Sequence, residues 1–537
     1  MNATGPAVDN LVGLQVYDTT LRDGAQQEGL SLSVADKLAI AGHLDDLGVG
    51  FIEGGWPGAI PKDTEFFAVA AEELRLKHAL LAAFGATRRP GLKAEDDPQV
   101  RALLESLAPV VTLVAKSHTD HVKLALRTTP AENISMIADT VRLLVAEGRR
   151  VFVDAEHFFD GYFLDRGYVI EVVRAAVDSG AEVVALCDTN GGHLPDRVGA
   201  IVADMRTATG APLGIHCHND TGCAVANTLA AVDAGAMHVQ GTINGYGERT
   251  GNADLVTIVA NLELKRHAAV LRPGGLAEAS RISHAISEIT NVPPYSRQPY
   301  VGSSAFAHKA GLHASAIRVD PALYQHVDPR EVGNDMRMLV SEMAGRASIE
   351  LKGRELGLDL SERELVASIT EAVKANEALG YTYEAADASF ELLALRLGEG
   401  VPTFFEIESW RVITERVAGT ASGEATSEAT VKLTTGGRRV VATGEGNGPV
   451  NALDAALRLA LGPTYPELAD FDLIDFRVRI LDSAHGTDAS TRVLLETADD
   501  SRTWTTVGVG PNVVEASWEA LTDGFVYGLL RRQVSVR

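Results

Sequence analysis

The chain has 537 residues, 46% of them hydrophobic, enough to bury large cores and more than one domain usually holds. Its 48 Lys and Arg stand against 72 Asp and Glu, a formal net charge of −24, which excludes a general nucleic-acid or anionic-membrane surface because phosphate binding needs clustered cations. Three cysteines (Cys187, Cys217 and Cys223) match no zinc-finger spacing and form no disulfide framework. Residues 1–10 lack the basic start and apolar stretch of a signal peptide, and no clean run of about 18 apolar residues occurs, so a cytoplasmic protein without a membrane span is expected.

From residue 14 to about 285, short β-rich runs alternate with Ala/Leu-rich segments of helical spacing. The strand candidates are 14–17, 50–53, 80–84, 110–115, 150–154, 182–187, 213–218 and 238–242. The helical segments between them are 33–47, 63–77, 98–107, 130–147, 166–179, 195–208 and 221–234. Eight strand–helix units in about 270 residues predict a closed (β/α)8 barrel over 1–285 rather than an open doubly wound sheet.

A barrel of this kind gathers its chemistry at the C-terminal ends of its strands. Polar residues fall at those places: Arg22 and Asp23 after strand one, Glu53 on strand two and Glu156 after strand five. Asp188 and Thr189 end strand six, and His216 and His218 end strand seven. Asn244, Glu248, Arg249 and Asn252 follow strand eight in NGYGERTGN. Alternate strand residues point to one side, so His216 and His218 are placed to share one metal ion. A carboxylate such as Asp23 would complete a two-His, one-carboxylate set with positions left open for substrate. A bare His-x-His is more often a packed strand pair, and an Asp before a helix is often a cap; the convergence on one rim is what favours ligation.

Residues 286–402 change texture, with helical segments near 341–356 and 361–379 and no strand partner, and are expected to form a connecting arm. Strands return near 403. In 403–537, candidate strands at 429–443 and 490–507 each precede a Gly-rich turn, Gly446-Asn447-Gly448-Pro449 and Gly508-Val509-Gly510-Pro511, and a helix at 450–461 or 512–529. A β–turn–helix unit that occurs twice predicts a small pseudo-twofold α/β domain, regulatory or dimerising in preference to phosphate-binding.

The motifs YDTTLRDGAQQEG (17–29), FIEGGWP (51–57), LCDTNGG (186–192), HCHNDTGCAVAN (216–227) and GTINGYGERTGNADL (241–255) resemble the 2-isopropylmalate, homocitrate and citramalate synthase family. So do FAHKAGLHASA (306–316), LVSEMAGRASI (339–349) and the two Gly-rich turns of the tail. DAEHFFDGY (154–162), CDTNGGHLP (187–195) and YQHVDPREVGN (324–334) are most similar to the citramalate-forming branch. The resemblance implies condensation of acetyl-CoA with pyruvate to give (R)-citramalate and CoA, in isoleucine biosynthesis. It also implies a divalent metal ion (Mg, Mn or Zn), a homodimer, and feedback through the tail with isoleucine as effector. By the same resemblance the metal ligands are Asp23, His216, His218 and Asn252. Arg22 would stabilise the oxo-acid oxygens, Thr189 would bind the carboxylate, and Gln26 and Glu53 would orient the ligands. The proton of the acetyl methyl would go to Glu156, His313 or Tyr324, among which the sequence does not choose. Relatives often carry an acidic residue where Ser315 stands and an aromatic one at Asp154. Alternatives are a 2-isopropylmalate synthase, a lyase running the reverse sense, and a non-catalytic amino-acid sensor.

Overall fold

The computed structural model describes residues 11–309, 311–341, 343, 345–416, 425–481 and 489–537; the signal-peptide expectation for residues 1–10 lies outside them. The chain divides into two compact units, one running up to Phe306 with Val327–Asp335, the other made of Ala307–His326 and Met336–Arg537.

The first unit is the expected closed barrel. Its strands are β1 (Gln15–Asp18), β2 (Phe51–Gly55), β3 (Leu80–Ala86), β4 (Val110–Lys116), β5 (Arg150–Glu156), β6 (Val183–Asp188), β7 (Leu213–Cys217) and β8 (His238–Gly241). All are parallel, paired in sequence order, and β8 closes on β1 through Gln15↔His238 and Tyr17↔Gln240. Helices between the strands begin where local chemistry satisfies their free N–H groups. Ser33 and Asp36 form a reciprocal capping box before Val34–Leu47, Asp97 caps Pro98–Glu105 and Thr129 caps Pro130–Ala146. Two short helices not foreseen from the sequence, Thr119–Leu124 and Phe158–Leu164, sit after β4 and β5.

The period of two separates the two faces of each strand. Outward residues such as Val16, Ile52, Val111, Val151, Val184 and Ile215 join the helices in one large apolar cluster. Inward residues Tyr17, Phe51, Ala82, Val110, Phe152 and Val183 form a separate packed layer inside the barrel. His238 stacks into it, 5.2 Å from the Tyr17 ring and 5.1 Å from the Phe152 ring. Above this layer the inward positions turn polar: Glu53, Thr112, Asp154, His216 and Gln240 are all buried.

In the second unit, a two-stranded parallel pair, β9 (Ala307–His308) and β10 (Arg337–Met338), accompanies the helices Gly311–Ile317, Arg346–Leu356, Arg363–Ala378 and Asp387–Leu397. Val340, Ile349, Val366, Ile369, Val373 and Phe390 form their core. The tail is a duplicated unit of three antiparallel strands and a helix. The first copy is β11 (Glu406–Glu415), β12 (Thr426–Thr435), β13 (Arg438–Gly446) and helix Pro449–Leu461; the second is β14 (Asp472–Ile480), β15 (Thr491–Ala498), β16 (Thr503–Gly510) and helix Val513–Arg531.

Two sequence expectations need correction here. Each single strand foreseen at 429–443 and 490–507 is a hairpin, turning at Gly436-Gly437 in one copy and at 499–502 in the other. The repeat also aligns two residues away from the Gly-rich match: Gly444-Glu445-Gly446 corresponds to Gly508-Val509-Gly510. Gly446 pairs with Ser427 as Gly510 pairs with Thr491. The reason is packing. A Cβ on Gly444 would stand 2.3 Å from Ala456 N, and one on Gly508 would stand 2.0 Å from Ala516 O. These glycines let a helix backbone lie on the sheet. Pro449 opens its helix directly, whereas Pro511 precedes the capping residue Asn512, whose side chain accepts from Val514 N and Glu515 N.

Candidate metal centre and active site

β1 and β7 bring three ligand-type side chains together at the mouth of the barrel. Asp23 lies in the turn after β1, where Asp23 N and Gly24 N both donate to Thr19 O. Its Oδ2 stands 3.2 Å from His216 Nε2 and 3.7 Å from His218 Nε2. The two imidazole nitrogens are 3.3 Å apart. All three residues are buried, and their ligand atoms lie within 4.8 Å of one another. Among the described residues this is the one such cluster of His, Cys, Asp and Glu.

Asn252 joins them through a bridge between its backbone and that of His218. Asn252 Nδ2 donates to Asp23 Oδ2 at 2.7 Å, while its Oδ1 is buried without a partner. Turning this amide by half a rotation would present the oxygen to the cluster, the amide oxygen and nitrogen being alike in size and shape. Gly247 makes room for it: φ is +151° there and a Cβ would come within 2.5 Å of Asn252 Oδ1. The donor set fits a divalent cation, since it offers a carboxylate, two imidazoles and an unused amide oxygen.

Electrostatics support the same reading. Burial would push the Asp23 carboxyl up, but the Arg22 guanidinium and the two histidines hold it well below the usual carboxylate range. Burial and the neighbouring His216 push His218 down to about 4, so its ring is neutral and able to ligate. For His216, burial acts downward, but the hydrogen bond and charge of Asp23 raise its pKa.

Arg22 is locked on three sides. Its Nε donates to Glu53 Oε2 at 2.6 Å, one terminal nitrogen lies 3.4 Å from Asp23 Oδ1, and the guanidinium lies 3.9 Å over the Phe84 ring. Glu53 in turn accepts from Tyr17 Oη at 2.7 Å, and Tyr17 shares a 2.6 Å bond with Thr112 Oγ1. Glu53 therefore orients Arg22 from inside the barrel. Gln26 stands apart: it is exposed and lines a cavity of about 190 Å3 with Arg22, Trp56 and Ile60, and the structure does not bring it to the ligands.

Thr189 Oγ1 accepts from His157 N at 2.9 Å, which leaves its hydroxyl hydrogen free to donate. Glu156 is ion-paired with Lys116. Asp188 turns away into the following loop, accepting from Gly192 N, His193 N and the His193 ring. Asn244 bonds Ser283 and Gln298, Arg249 pairs with Asp220, and Glu248 is exposed; these rim residues serve the loop. His313 and Tyr324 lie in the second unit, their rings 4.1 Å apart and tilted by 32°. Tyr17, Thr112 and Gln240 were not picked out from the sequence. Their signal was there, as polar residues at inward positions of strands otherwise apolar.

Comparison with known proteins agrees with this geometry. The family model described as HMGL-like matches residues 13–283, "Homocitrate synthase post-HMGL domain-like" matches 300–379, and "LeuA allosteric (dimerisation) domain" matches 384–529. The chain is 64% identical over 537 residues to the (R)-citramalate synthase of Streptomyces coelicolor, covering 100% of this chain and 99% of that one. It is 47% identical to the (R)-citramalate synthase of Synechocystis, covering 96% of each chain. A probable 2-isopropylmalate synthase of Methanopyrus kandleri is 33% identical, over 97% of this chain and 99% of the other. The chain belongs to the HMGL-like family and, within it, to the family of the (R)-citramalate synthases, the condensing acyltransferases.

Proposed function

We propose that this enzyme condenses acetyl-CoA with pyruvate and water to give (R)-citramalate and free CoA. The observation that carries the proposal is the Asp23, His216 and His218 cluster in a chain with full-length likeness to (R)-citramalate synthases. A divalent ion held by these residues, with Asn252 as a further oxygen donor, would polarise the ketone and hold the oxo acid's oxygens. Arg22, fixed by Glu53, adds positive charge beside the oxygen that becomes an alkoxide. Thr189 donates its free hydroxyl hydrogen to the oxo-acid carboxylate.

A base takes one proton from the acetyl methyl, the methyl carbon bonds to the ketone carbon, and the ketone oxygen gains a proton. Water then cleaves the C–S bond, giving a carboxylate, CoA thiol and one released proton. Candidates for the base are Glu156, paired with Lys116, and His313 and Tyr324, whose rings lie 4.1 Å apart. The match of the tail to an allosteric, dimerising domain supports a homodimer with feedback, and isoleucine is the effector we propose. Among the described residues no helix is long and apolar enough to cross a membrane, which agrees with the cytoplasmic location we propose.

Thiol release from acetyl-CoA with pyruvate, compared with 2-oxoisovalerate, tests the substrate. Faster turnover of the branched acid would replace the proposal with a 2-isopropylmalate synthase. Calorimetry of the full chain with isoleucine and with leucine tests the effector; heat with leucine alone would overturn it.

A further inference from the structure

Gln240 occupies an inward position of β8 and is fully buried. Its Nε2 lies 2.9 Å from Asp154 Oδ1 and 3.3 Å from His238 Nε2, and its Oε1 lies 2.9 Å from His216 Nδ1. These partners allow the amide one orientation. An ionised carboxylate only accepts, so the face toward Asp154 must be the NH2. His238 agrees: burial brings its pKa down to about 3, so the ring is neutral. Its Nδ1 lies 3.0 Å from Gln15 Oε1 and donates there, leaving the Nε2 lone pair to accept the second amide hydrogen. Both hydrogens of Gln240 are then used, and Oε1 faces His216. His216 Nδ1 must carry a hydrogen to meet that oxygen. Nε2, 3.2 Å from Asp23 Oδ2, is then the nitrogen left to ligate, its own hydrogen being the one a metal ion displaces.

We infer that Gln240 is the positioning residue that fixes the His216 tautomer for ligation through Nε2, with Asp154 and His238 holding its amide in register. The inference rests on the metal reading above and deepens it. Partners of this kind, bonded to the far nitrogen of a ligand histidine, commonly change metal affinity about 10–100-fold when removed.

The test is Mn2+ affinity of the metal-stripped full chain, measured by titration calorimetry. Gln240→Leu keeps the volume but not the acceptor and is expected to bind about 10–100-fold more weakly. The double variant Asp154→Asn, Gln240→Glu exchanges donor and acceptor between the two positions, keeps an acceptor for the His216 Nδ1 hydrogen, and is expected to bind within about threefold of the unaltered chain, a few tenths of a pKd unit. Gln240→Leu binding within about twofold of the unaltered chain, or the double variant losing as much as Gln240→Leu, would overturn the inference. A second measurement needs no folded Gln240 variant. In chain labelled with 15N-histidine, the His216 signals, assigned by their loss in His216→Gln, are expected to show a protonated Nδ1; a bare Nδ1 overturns the inference. If the unaltered chain takes up no Mn2+ that His218→Ala abolishes, the metal reading fails, and the Nδ1 result still decides the role of Gln240 on its own.

Discussion

Tyr17→Phe isolates a single buried hydroxyl. The ring stays among Phe51 and Phe152, 6.0 Å away in each case, and His238 at 5.2 Å, so no cavity forms. What is lost is the 2.7 Å bond to Glu53, the partner of Arg22, and the 2.6 Å bond to Thr112. A hydrogen bond to a charged group is worth about 1.5–3 kcal/mol, and a buried hydroxyl left alone costs about 1–3 kcal/mol more. Glu53 keeps Arg22 as a counter-ion, so its charge is not stranded and the larger penalty for an orphaned buried charge does not apply. The expected destabilisation of the barrel is about 3 kcal/mol, or roughly a 100-fold fall in protection factors. Amide hydrogen exchange resolved to peptides from β1, β2 and β4 reads the barrel separately from the second unit. Adding Thr112→Val removes the stranded hydroxyl, so the double variant should lose at least about 0.5 kcal/mol less than the sum of the single losses. A loss below about 0.5 kcal/mol for Tyr17→Phe would refute the account of Glu53 as a group held by Tyr17, and strict additivity in the pair would refute the Tyr17–Thr112 bond.

Chelation should abolish turnover and lower the barrel's thermal midpoint, with an ion at 100 times its Kd restoring about 2.7 kcal/mol; a midpoint blind to both chelator and ion would remove the metal from the proposal. Gly508→Ala places a Cβ against the backbone of its own helix and should destabilise the tail by about 3 kcal/mol or more. Gly448→Ala, where nothing lies within 4 Å, should change it by less than about 0.5 kcal/mol, and equal effects measured by exchange in β15 would contradict the packing argument. His193 has its pKa raised above 6.5, chiefly by its hydrogen bond to Asp188. A raised folded pKa gives stability that is fully present below the unfolded value and is lost as pH rises through the folded one. Chemical denaturation of His193→Gln should therefore show its largest deficit below about pH 6.5 and a shrinking one above; a deficit that grows with pH would reverse the sign.

The barrel was legible because its two periodicities are strong. Apolar runs such as 110–115 and 213–218 carry strand character on both faces, and the segments between them repeat at helical spacing. The ligand-type residues were legible for the same reason, since His216 and His218 are two apart on a strand. What lies behind them was harder to read. Gln240 and Tyr17 are uncharged, sit within apolar strands, and gain their meaning from neighbours 24 and 36 positions away. Asp188 and Asn244 sit at the right rim yet turn into their loops, a choice made by nearby N–H and hydroxyl groups that no spacing rule contains. The hairpins of the tail were hidden because 429–443 is β-rich throughout, and only the left-handed pair Gly436-Gly437 breaks it. The tail's repeat was misaligned by two because proline after glycine is a louder signal than a glycine that merely lets a helix come close.

The amide at Gln240 also sets a limit on traffic inside the barrel. Burial and the nearby Glu53 raise the Asp154 carboxyl to about 6, so it is ionised at neutral pH and takes up a hydrogen ion on mild acidification. Carboxylates, imidazoles and water hand such ions along a chain, but a carboxamide has no lone pair on nitrogen to receive one. Asp154 and His216 are therefore wired mechanically yet insulated chemically. A hydrogen ion on the deep carboxyl is not passed on through the amide, and what reaches the imidazole along that link is a change in field.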